Sequence, residues 1–303
     1  MVGTLPENWL ILLVLAAAGL MVVLLVGVIR FRRSYYIPKP RHGVSTPRDF
    51  GLPAMDVEYR AVQNQPATHA WYAPRGLDKK YPVILFMHGW NADASVWLPL
   101  AAQLHQSGFS LLLPDARGHG RNRRETHCTV ADVTDDIMAG IAWLKARGET
   151  DADRIVLIGH SLGAVAALAA TSRSKQVWRT ISISAYAHAT DPLLGTARRS
   201  PFRRVVAWLN MRAAELRDGF RYAQYNAVDL VKEIRCPILL VHGDRDRVVP
   251  IADAHRIHAQ ANPDTAHLLI VPKAGHGTIL RSEMLRAGVE EFLLCARKQC
   301  VEG

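Results

Sequence analysis

Short runs of apolar residues recur along the chain, and most are followed by a stretch with helical periodicity. The runs have the length of buried strands and lie at 83–87, 109–114, 154–158, 180–184, 237–241 and 268–271. Continuous apolar strands separated by helices are typical of a mostly parallel sheet that is covered on both faces. With an opening antiparallel pair at 56–62 and 69–73, the sequence predicts a doubly wound α/β fold with an eight-stranded sheet.

The interval between the sixth and seventh predicted strands departs from this alternation. Residues 186–235 contain no clear strand and are rich in arginine and aromatic side chains. We predict that they form helices over the carboxyl edge of the sheet, where open α/β folds carry their sites. The sequence thus predicts a small helical lid over about 186–235, within a domain that spans 56–303.

A strongly apolar segment precedes this domain. Residues 9–29 hold no charged side chain, and a helix of that length spans about 31 Å, enough to cross the hydrocarbon core of a bilayer. The preceding residues carry no Lys or Arg, and the run ends in a basic cluster rather than in small residues, unlike a cleaved signal peptide. We predict a transmembrane anchor over 1–33, with its span at about 9–29, and a Pro-rich linker over 34–55.

Charge predicts the orientation of the anchor. One charged residue, Glu7, precedes the span, whereas residues 30–48 hold no acidic residue and six basic residues, at Arg30, Arg32, Arg33, Lys39, Arg41 and Arg48. The positive-inside rule then places the N-terminus outside and the large domain in the cytoplasm of a single-pass membrane protein. Four dispersed cysteines are too few for a disulfide framework, which agrees with a reducing compartment.

The formal net charge of +10 restricts the possible partners. Beside a membrane anchor, attraction of the basic juxtamembrane segment to acidic lipid headgroups accounts for this charge. The chain carries no nucleic-acid fold signature, and its His and Cys residues do not show the spacing of metal ligands. We therefore expect no nucleic-acid partner, no metal and no cofactor; the sequence does not indicate an oligomeric state.

One motif carries chemistry of its own. The fifth predicted strand runs into Gly159, His160, Ser161, Leu162 and Gly163, and an Ala-rich helix follows. In this strand-turn-helix setting, the G-x-S-x-G pattern predicts a strained corner that exposes the serine hydroxyl. The first backbone N–H groups of the following helix favour negative charge at the same place. The sequence therefore predicts Ser161 as a nucleophile.

A serine hydroxyl needs a base to accept its proton, and the base needs an acid to orient it. The loop after the seventh predicted strand carries Asp244 and Asp246, and the loop after the eighth carries His276 between two glycines. Parallel strands end at one edge of the sheet, so we expect one of these aspartates and His276 to meet Ser161. Asp191, after the sixth strand, is a further candidate acid, although no loop motif supports it.

With these motifs the chain resembles the α/β-hydrolase superfamily over about residues 56–297. The acid-loop motif H-G-x-x-D of that family corresponds to residues 242–246, which implies Asp246 rather than Asp244 as the acid. Its G-H histidine loop corresponds to Gly275 and His276, and its D-x-R-G-x-G segment, usually structural, begins at Asp115.

The same resemblance implies an oxyanion hole. The H-G-x segment of the family corresponds to His88, Gly89 and Trp90, so the backbone N–H of Trp90 is expected to pair with that of Leu162. Structural roles are implied for His88, Gly89, Gly159, Gly163 and Asp115.

Within the superfamily, the chain is most similar to single-span, membrane-anchored serine hydrolases. The resemblance implies hydrolysis of carboxylic esters or thioesters through a Ser-His-Asp triad and an acyl-enzyme, with a small-molecule or lipid-like acyl substrate. A serine peptidase or aminopeptidase, or an acyltransferase, would use the same triad. The fold also hosts non-catalytic binding proteins, but the complete set of catalytic residues favours an enzyme.

Overall fold

The computed structural model describes residues 8–36, 45–60, 67–122, 127–195 and 200–294. Glu7, Lys39, Arg41 and residues 37–44 of the predicted linker lie outside the described residues, as does the C-terminal segment from 295.

Eight strands form one sheet in the order β1-β2-β4-β3-β5-β6-β7-β8. β2 is antiparallel to both of its neighbours, and all other pairs are parallel. The strands are β1 (Met55–Tyr59), β2 (Thr68–Ala73), β3 (Tyr81–Met87), β4 (Ser110–Pro114), β5 (Thr150–His160), β6 (Val177–Ile183), β7 (Ile238–Gly243) and β8 (Ala266–Val271). The predicted doubly wound, mostly parallel eight-stranded sheet is confirmed.

Helices cover both faces of this sheet. The described helices are α1 (Trp9–Tyr35), α2 (Leu98–Gln106), α3 (Val130–Lys145), α4 (Leu162–Arg173), α5 (Asp191–Gly195), α6 (Pro201–Asp218), α7 (Ala227–Glu233), α8 (Ile251–His258) and α9 (Glu283–Leu294). α3, α4, α7 and α8 pack in one apolar cluster, and α2 and α9 pack in the other. Most side chains of the central strands β3 to β7 are buried between them, and each buried Leu, Ile or Val stabilises the fold by about 1.5–3 kcal/mol.

α3 illustrates how local sequence fixes one of these helices against the sheet. Thr129 caps its N-terminus and exchanges hydrogen bonds with Asp132, which closes a capping box. Gly140 lies where the helix passes β3, and a Cβ there would come within 2.6 Å of Leu85 Cδ1. The helix therefore approaches the sheet more closely than a larger residue would allow.

The interval between β6 and β7 contains α5, α6 and α7 and no described strand, as its composition predicted. One face of α6 is buried, through Val206, Ala207, Asn210, Met211 and Ala214. The region therefore packs as helices on the fold, and its domain bounds of 186–235 stay a prediction.

α1 is long and apolar enough to span a membrane, with a mean hydropathy of 3.0 over its most apolar window. The helix extends past the predicted span, through the first basic residues to Tyr35. Directly after it, Tyr36 is buried and its hydroxyl lies 2.9 Å from that of Tyr222. The C-terminal end of α1 is therefore packed against the domain.

The described part of the predicted linker differs from an extended spacer. Pro47–Phe50 form a 3-10 helix that begins with a capping box from Thr46 to Asp49. Leu52 is buried in the apolar cluster of α2 and α9. Proline is well placed in the first turn of such a helix, because its missing N–H has no partner to lose there.

Candidate active site

The turn between β5 and α4 holds Ser161 in a strained backbone conformation. Its φ is +55° and its ψ is −115°, a region that a residue with a side chain occupies at a cost of about 1–3 kcal/mol. Backbone hydrogen bonds hold the turn: Ser161 N–H donates to Ile183 O at 2.9 Å, and Ser161 O accepts from Ala164 N–H at 3.0 Å. The turn lifts the Ser161 side chain above the carboxyl edge of the sheet.

Glycines on both sides make this turn possible. A Cβ at Gly159 would overlap the backbone of Gly163, and a Cβ at Gly163 would overlap the end of β3 at Met87 and lie 2.6 Å from His88 O. Gly89 lies against the turn from the other side, since a Cβ there would be 3.1 Å from the Cβ of Ser161. The β3 loop and the serine turn are therefore in van der Waals contact.

His276 and Asp246 come from the loops after β8 and β7 and form a hydrogen-bonded pair. His276 Nδ1 donates to Asp246 Oδ2 at 2.7 Å. The Asp246 side chain is 0% exposed, while that of His276 keeps 17% of its surface accessible. A buried carboxylate that fixes one ring nitrogen leaves Nε2 as the nitrogen available for proton transfer.

The second carboxylate oxygen of Asp246 is also satisfied. Its Oδ1 accepts from the backbone N–H groups of Val248 at 2.8 Å and Val249 at 2.9 Å. Burial alone would raise the pKa of Asp246, but the hydrogen bond from His276 and those from the two backbone groups outweigh it and hold the pKa below its ordinary value. Asp246 is therefore ionised at neutral pH.

The alternative acids do not share this geometry. Asp244 is exposed, and its backbone N–H donates to Val271 O. Asp191 lies in the first turn of α5. It is not the hydrogen-bond partner of His276 Nδ1, because that nitrogen is bonded to Asp246.

His276 lies next to the serine turn through its neighbour His160. The centroids of the two imidazole rings are 4.8 Å apart. In the part of the chain that the structure describes, the Ser161 hydroxyl makes no hydrogen bond, so its proton is not yet aligned with His276. Catalytic hydrogen bonds are often long or poorly aligned before substrate binds.

The backbone N–H groups of Trp90 and Leu162 flank the same turn. Leu162 is the first residue of α4, and Trp90 follows Gly89, where an added Cβ would lie 3.1 Å from the Cβ of Ser161. Neither group donates a hydrogen bond to another described residue. Two unsatisfied donors beside a candidate nucleophile are suited to bind a carbonyl oxygen that gains negative charge.

His160 is the residue of this site that sequence reasoning missed. Its Nε2 lies 2.8 Å from the backbone oxygen of His276, to which it donates. Burial, and then the nearby His276 ring, lower the pKa of His160 to about 3, so the ring is neutral and remains a donor at neutral pH. The signal available in the sequence was its position, directly before the serine in the G-x-S-x-G motif.

Comparison with known proteins agrees with this architecture. A family model described as alpha/beta hydrolase fold matches residues 82–218, and a second, described as TAP-like protein, matches residues 216–299. The chain belongs to the α/β-hydrolase superfamily. Membership of this superfamily supports hydrolase activity for the chain.

Individual relatives span most of the chain. An uncharacterised protein of Mycobacterium tuberculosis is 26% identical over 281 residues, which cover 88% of this chain and 90% of that protein. Esterase YjfP of Escherichia coli K12 is 25% identical over 67% of this chain and 83% of its own. The solved structure of the Pyrococcus furiosus esterase Pf2001 superposes with a TM-score of 0.66 at 25% identity, covering 85% of this chain and 98% of that one.

The remaining motif residues brace the loops around the site. His88 donates from Nδ1 to Gly89 O at 2.8 Å, and its Nε2 accepts from Ala116 N–H at 3.0 Å. Asp115 accepts from the backbone N–H groups of Ala94 at 2.8 Å and Arg121 at 3.0 Å. These contacts tie the ends of β3 and β4 together.

One group of described residues has the composition of a metal site. His127, Asp132 and Asp218 bring potential ligand atoms within 4.8 Å of one another. Both carboxylates are engaged by arginines: Asp132 by Arg117 at 3.1 Å and Asp218 by Arg217 at 2.6 Å. The group therefore fits an ion-pair network between α3 and α6 better than a metal centre.

We predict that Gly163→Ala destabilises the protein and lowers its activity, because the added methyl group must displace the backbone at the end of β3. Overpacking of this kind costs about 1–3 kcal/mol or more. The measurement is thermal and denaturant unfolding of the full chain in detergent. Gly148→Ala is the matched control, since a Cβ there meets nothing within 4 Å, and it should change stability by less than about 0.5 kcal/mol. Equal stability of the two variants would contradict the prediction.

Proposed function

We propose that this chain is a serine hydrolase that cleaves carboxylic ester or thioester bonds, with Ser161 as nucleophile, His276 as general base and Asp246 as the orienting acid. The observation that carries the proposal is the 2.7 Å hydrogen bond from His276 to a buried Asp246, beside a serine held at positive φ. A buried acid–base pair next to a strained serine is difficult to explain by packing alone.

The reaction begins when Ser161 Oγ attacks the substrate carbonyl and His276 Nε2 accepts the hydroxyl proton. The imidazolium that forms is stabilised by the ionised Asp246. His276 then gives the proton to the leaving alcohol or thiol, and an acyl-enzyme on Ser161 remains. Water, deprotonated by His276, attacks this ester, and the bond to Ser161 Oγ breaks as His276 returns the proton to that oxygen and the acid is released.

The developing oxyanion is bound by the backbone N–H groups of Trp90 and Leu162. Such donors cost no reorganisation when the charge forms, because they are already fixed by the loop after β3 and the first turn of α4. Each is worth about 3–4 kcal/mol of transition-state stabilisation in comparable sites.

The similar proteins and the apolar helix α1 support the proposed substrate class. Two of the similar proteins are described as esterases, which favours an ester over an amide. α1 has the length and composition of a membrane span, and a tethered enzyme meets small-molecule or lipid-like acyl substrates at the bilayer surface. We propose that α1 crosses the membrane with the catalytic domain on the cytoplasmic side, as the basic residues at its C-terminal end favour.

Ser161→Ala is expected to abolish covalent labelling by a fluorophosphonate probe and to lower kcat for a short p-nitrophenyl ester by about 10⁶-fold. The reason is that no other group at the turn can form the acyl-enzyme. Gel fluorescence and steady-state kinetics measure the two effects. Ser184→Ala is a suitable control, because Ser184 also has positive φ but lies directly after β6. Persistent labelling of Ser161→Ala would remove this residue from its role.

Asp246→Asn is expected to lower kcat by about 10⁴-fold, because the amide no longer stabilises the imidazolium or fixes its tautomer. Asp244→Asn, two residues away and exposed, should leave kcat within a factor of about two. Both variants are measured with the same ester. If the loss follows Asp244 instead, the acid has been misassigned.

Thiol labelling tests the orientation of α1. A membrane-impermeant maleimide should label Thr4→Cys on intact cells, while the exposed position of Leu77→Cys is labelled only after permeabilisation. If Leu77→Cys is labelled on intact cells and Thr4→Cys only after permeabilisation, the proposed orientation of α1 is wrong.

A further inference from the structure

α6 carries a stripe of exposed apolar side chains that the proposed chemistry does not use. Phe202, Val205, Trp208 and Leu209 are 38%, 49%, 57% and 37% exposed, and Leu216, which the exposed Arg212 separates from them, is 78% exposed. Spacings of three, four and seven residues place them on one face of the helix, opposite the face that packs on the domain. Contiguous apolar patches of this kind on a folded domain mark an interaction surface.

The position of α6 beside α1 indicates what covers this stripe. A Cβ at Gly27 would lie 3.1 Å from Val206 Cγ2 and 3.3 Å from Phe202 Cζ, so the first turns of α6 touch α1. The covered positions of α1 are Leu24, Gly27, Val28 and Phe31, which form one helix face. The two helices therefore pack side by side.

The far end of α6 is fixed to the end of α1. Asp218 pairs with His127 at 3.3 Å, and the His127 ring stacks on Tyr36 at 4.9 Å. Tyr36 in turn lies 2.9 Å from Tyr222, which follows α6. Contacts at both ends mean that α6 runs alongside the last turns of α1, from the level of Gly27 to that of Tyr36.

This alignment sets the depth of the stripe. Gly27 lies three residues before Arg30, the first charge after the span, and therefore about 4.5 Å deeper along the helix axis. Phe202 is level with Gly27, at the boundary between acyl chains and headgroups. The exposed apolar faces of α1 and α6 are continuous there, and Arg203 and Arg204 lie at the same end of α6.

We propose that the N-terminal half of the exposed face of α6, from Phe202 to Leu209, inserts into the anionic membrane leaflet next to the domain, at the depth of the headgroups and upper acyl chains. The inference rests on the proposal that α1 crosses a membrane. Exposed aromatic and aliphatic side chains bind such an interface through buried apolar area, and Arg203 and Arg204 at the same end of α6 add attraction to acidic lipids. The lid helix thereby holds the carboxyl edge of the sheet against the bilayer.

Tryptophan quenching tests this insertion directly. The full chain is reconstituted in phosphatidylcholine–phosphatidylglycerol vesicles, with or without lipids brominated at carbons 6 and 7 of one acyl chain. The Trp208 signal is the difference between the wild type and Trp208→Phe, since the chain holds seven tryptophans. We expect blue-shifted Trp208 emission that brominated lipid quenches. An unquenched Trp208 signal would overturn the proposal.

Two variants with a tryptophan introduced at another exposed position test whether quenching depends on α6. In the Trp208→Phe background, Val205→Trp on the same stripe should be quenched. Leu77→Trp, 81% exposed in the turn between β2 and β3, should be unquenched, because that turn lies at the opposite edge of the sheet. Equal quenching of both would overturn the proposal, since the signal would not depend on α6.

Further readouts separate this proposal from the others. Carbonate extraction of the chain from membranes would overturn both the span of α1 and the insertion of α6, whereas retention with an unquenched Trp208 would overturn only the insertion. Disulfide dimers of Leu209→Cys, absent from the wild type, together with an unquenched Trp208, would assign the stripe to a second copy and overturn the membrane assignment. Quenching does not depend on activity, so an inactive Ser161 site would leave this test intact.

Discussion

The conformation of one residue, Ser161, constrains everything around it. A positive φ at a serine persists only where neighbouring contacts leave no alternative, and here the end of β3, the end of β6 and the first turn of α4 supply those contacts. The glycines at 159 and 163 let these segments approach the turn. The loop that carries Trp90 is thereby held against the serine, so the same close approach that stores the strain also positions the candidate oxyanion donors.

The sheet could be predicted from the sequence because buried parallel strands are continuous apolar runs, and all eight expected strands are present. Strand ends shifted where the residues are polar: β5 begins at Thr150 rather than Arg154, since Thr150 pairs with Tyr81 of β3. Before α2 the chain forms a 3-10 turn over Ala94–Trp97, and Asp93 accepts from Ser95 N–H at 2.9 Å. Polar residues at strand and helix ends are ordered by tertiary partners that no local pattern encodes.

Parts of the candidate site followed from motifs, and other parts did not. The positions of Asp246 and His276 after neighbouring parallel strands predicted that both lie at one edge of the sheet. In the sequence, Asp246 is favoured over Asp244 only by the family motif, whereas the structure has a hydrogen bond from His276 to Asp246. The contact from His160 to the His276 carbonyl joins residues 116 positions apart. The packing of α6 on α1 is likewise a long-range contact between two helices that each look self-sufficient in sequence.

α1 and the residues around the candidate site pack in one apolar cluster, which restricts how α1 can move relative to the site. Phe31 of α1, Met211 of α6, and the partly buried Trp90 and Leu162 all pack in the cluster that also holds α3 and α4. Packed interiors have little free volume, so α1 cannot tilt without displacing α6. A domain on a free tether would sample all orientations above a membrane, whereas contacts at Gly27 and Tyr36 allow only a narrow range. With α1 in a bilayer, the serine turn would therefore keep a fixed orientation and distance relative to the lipid surface.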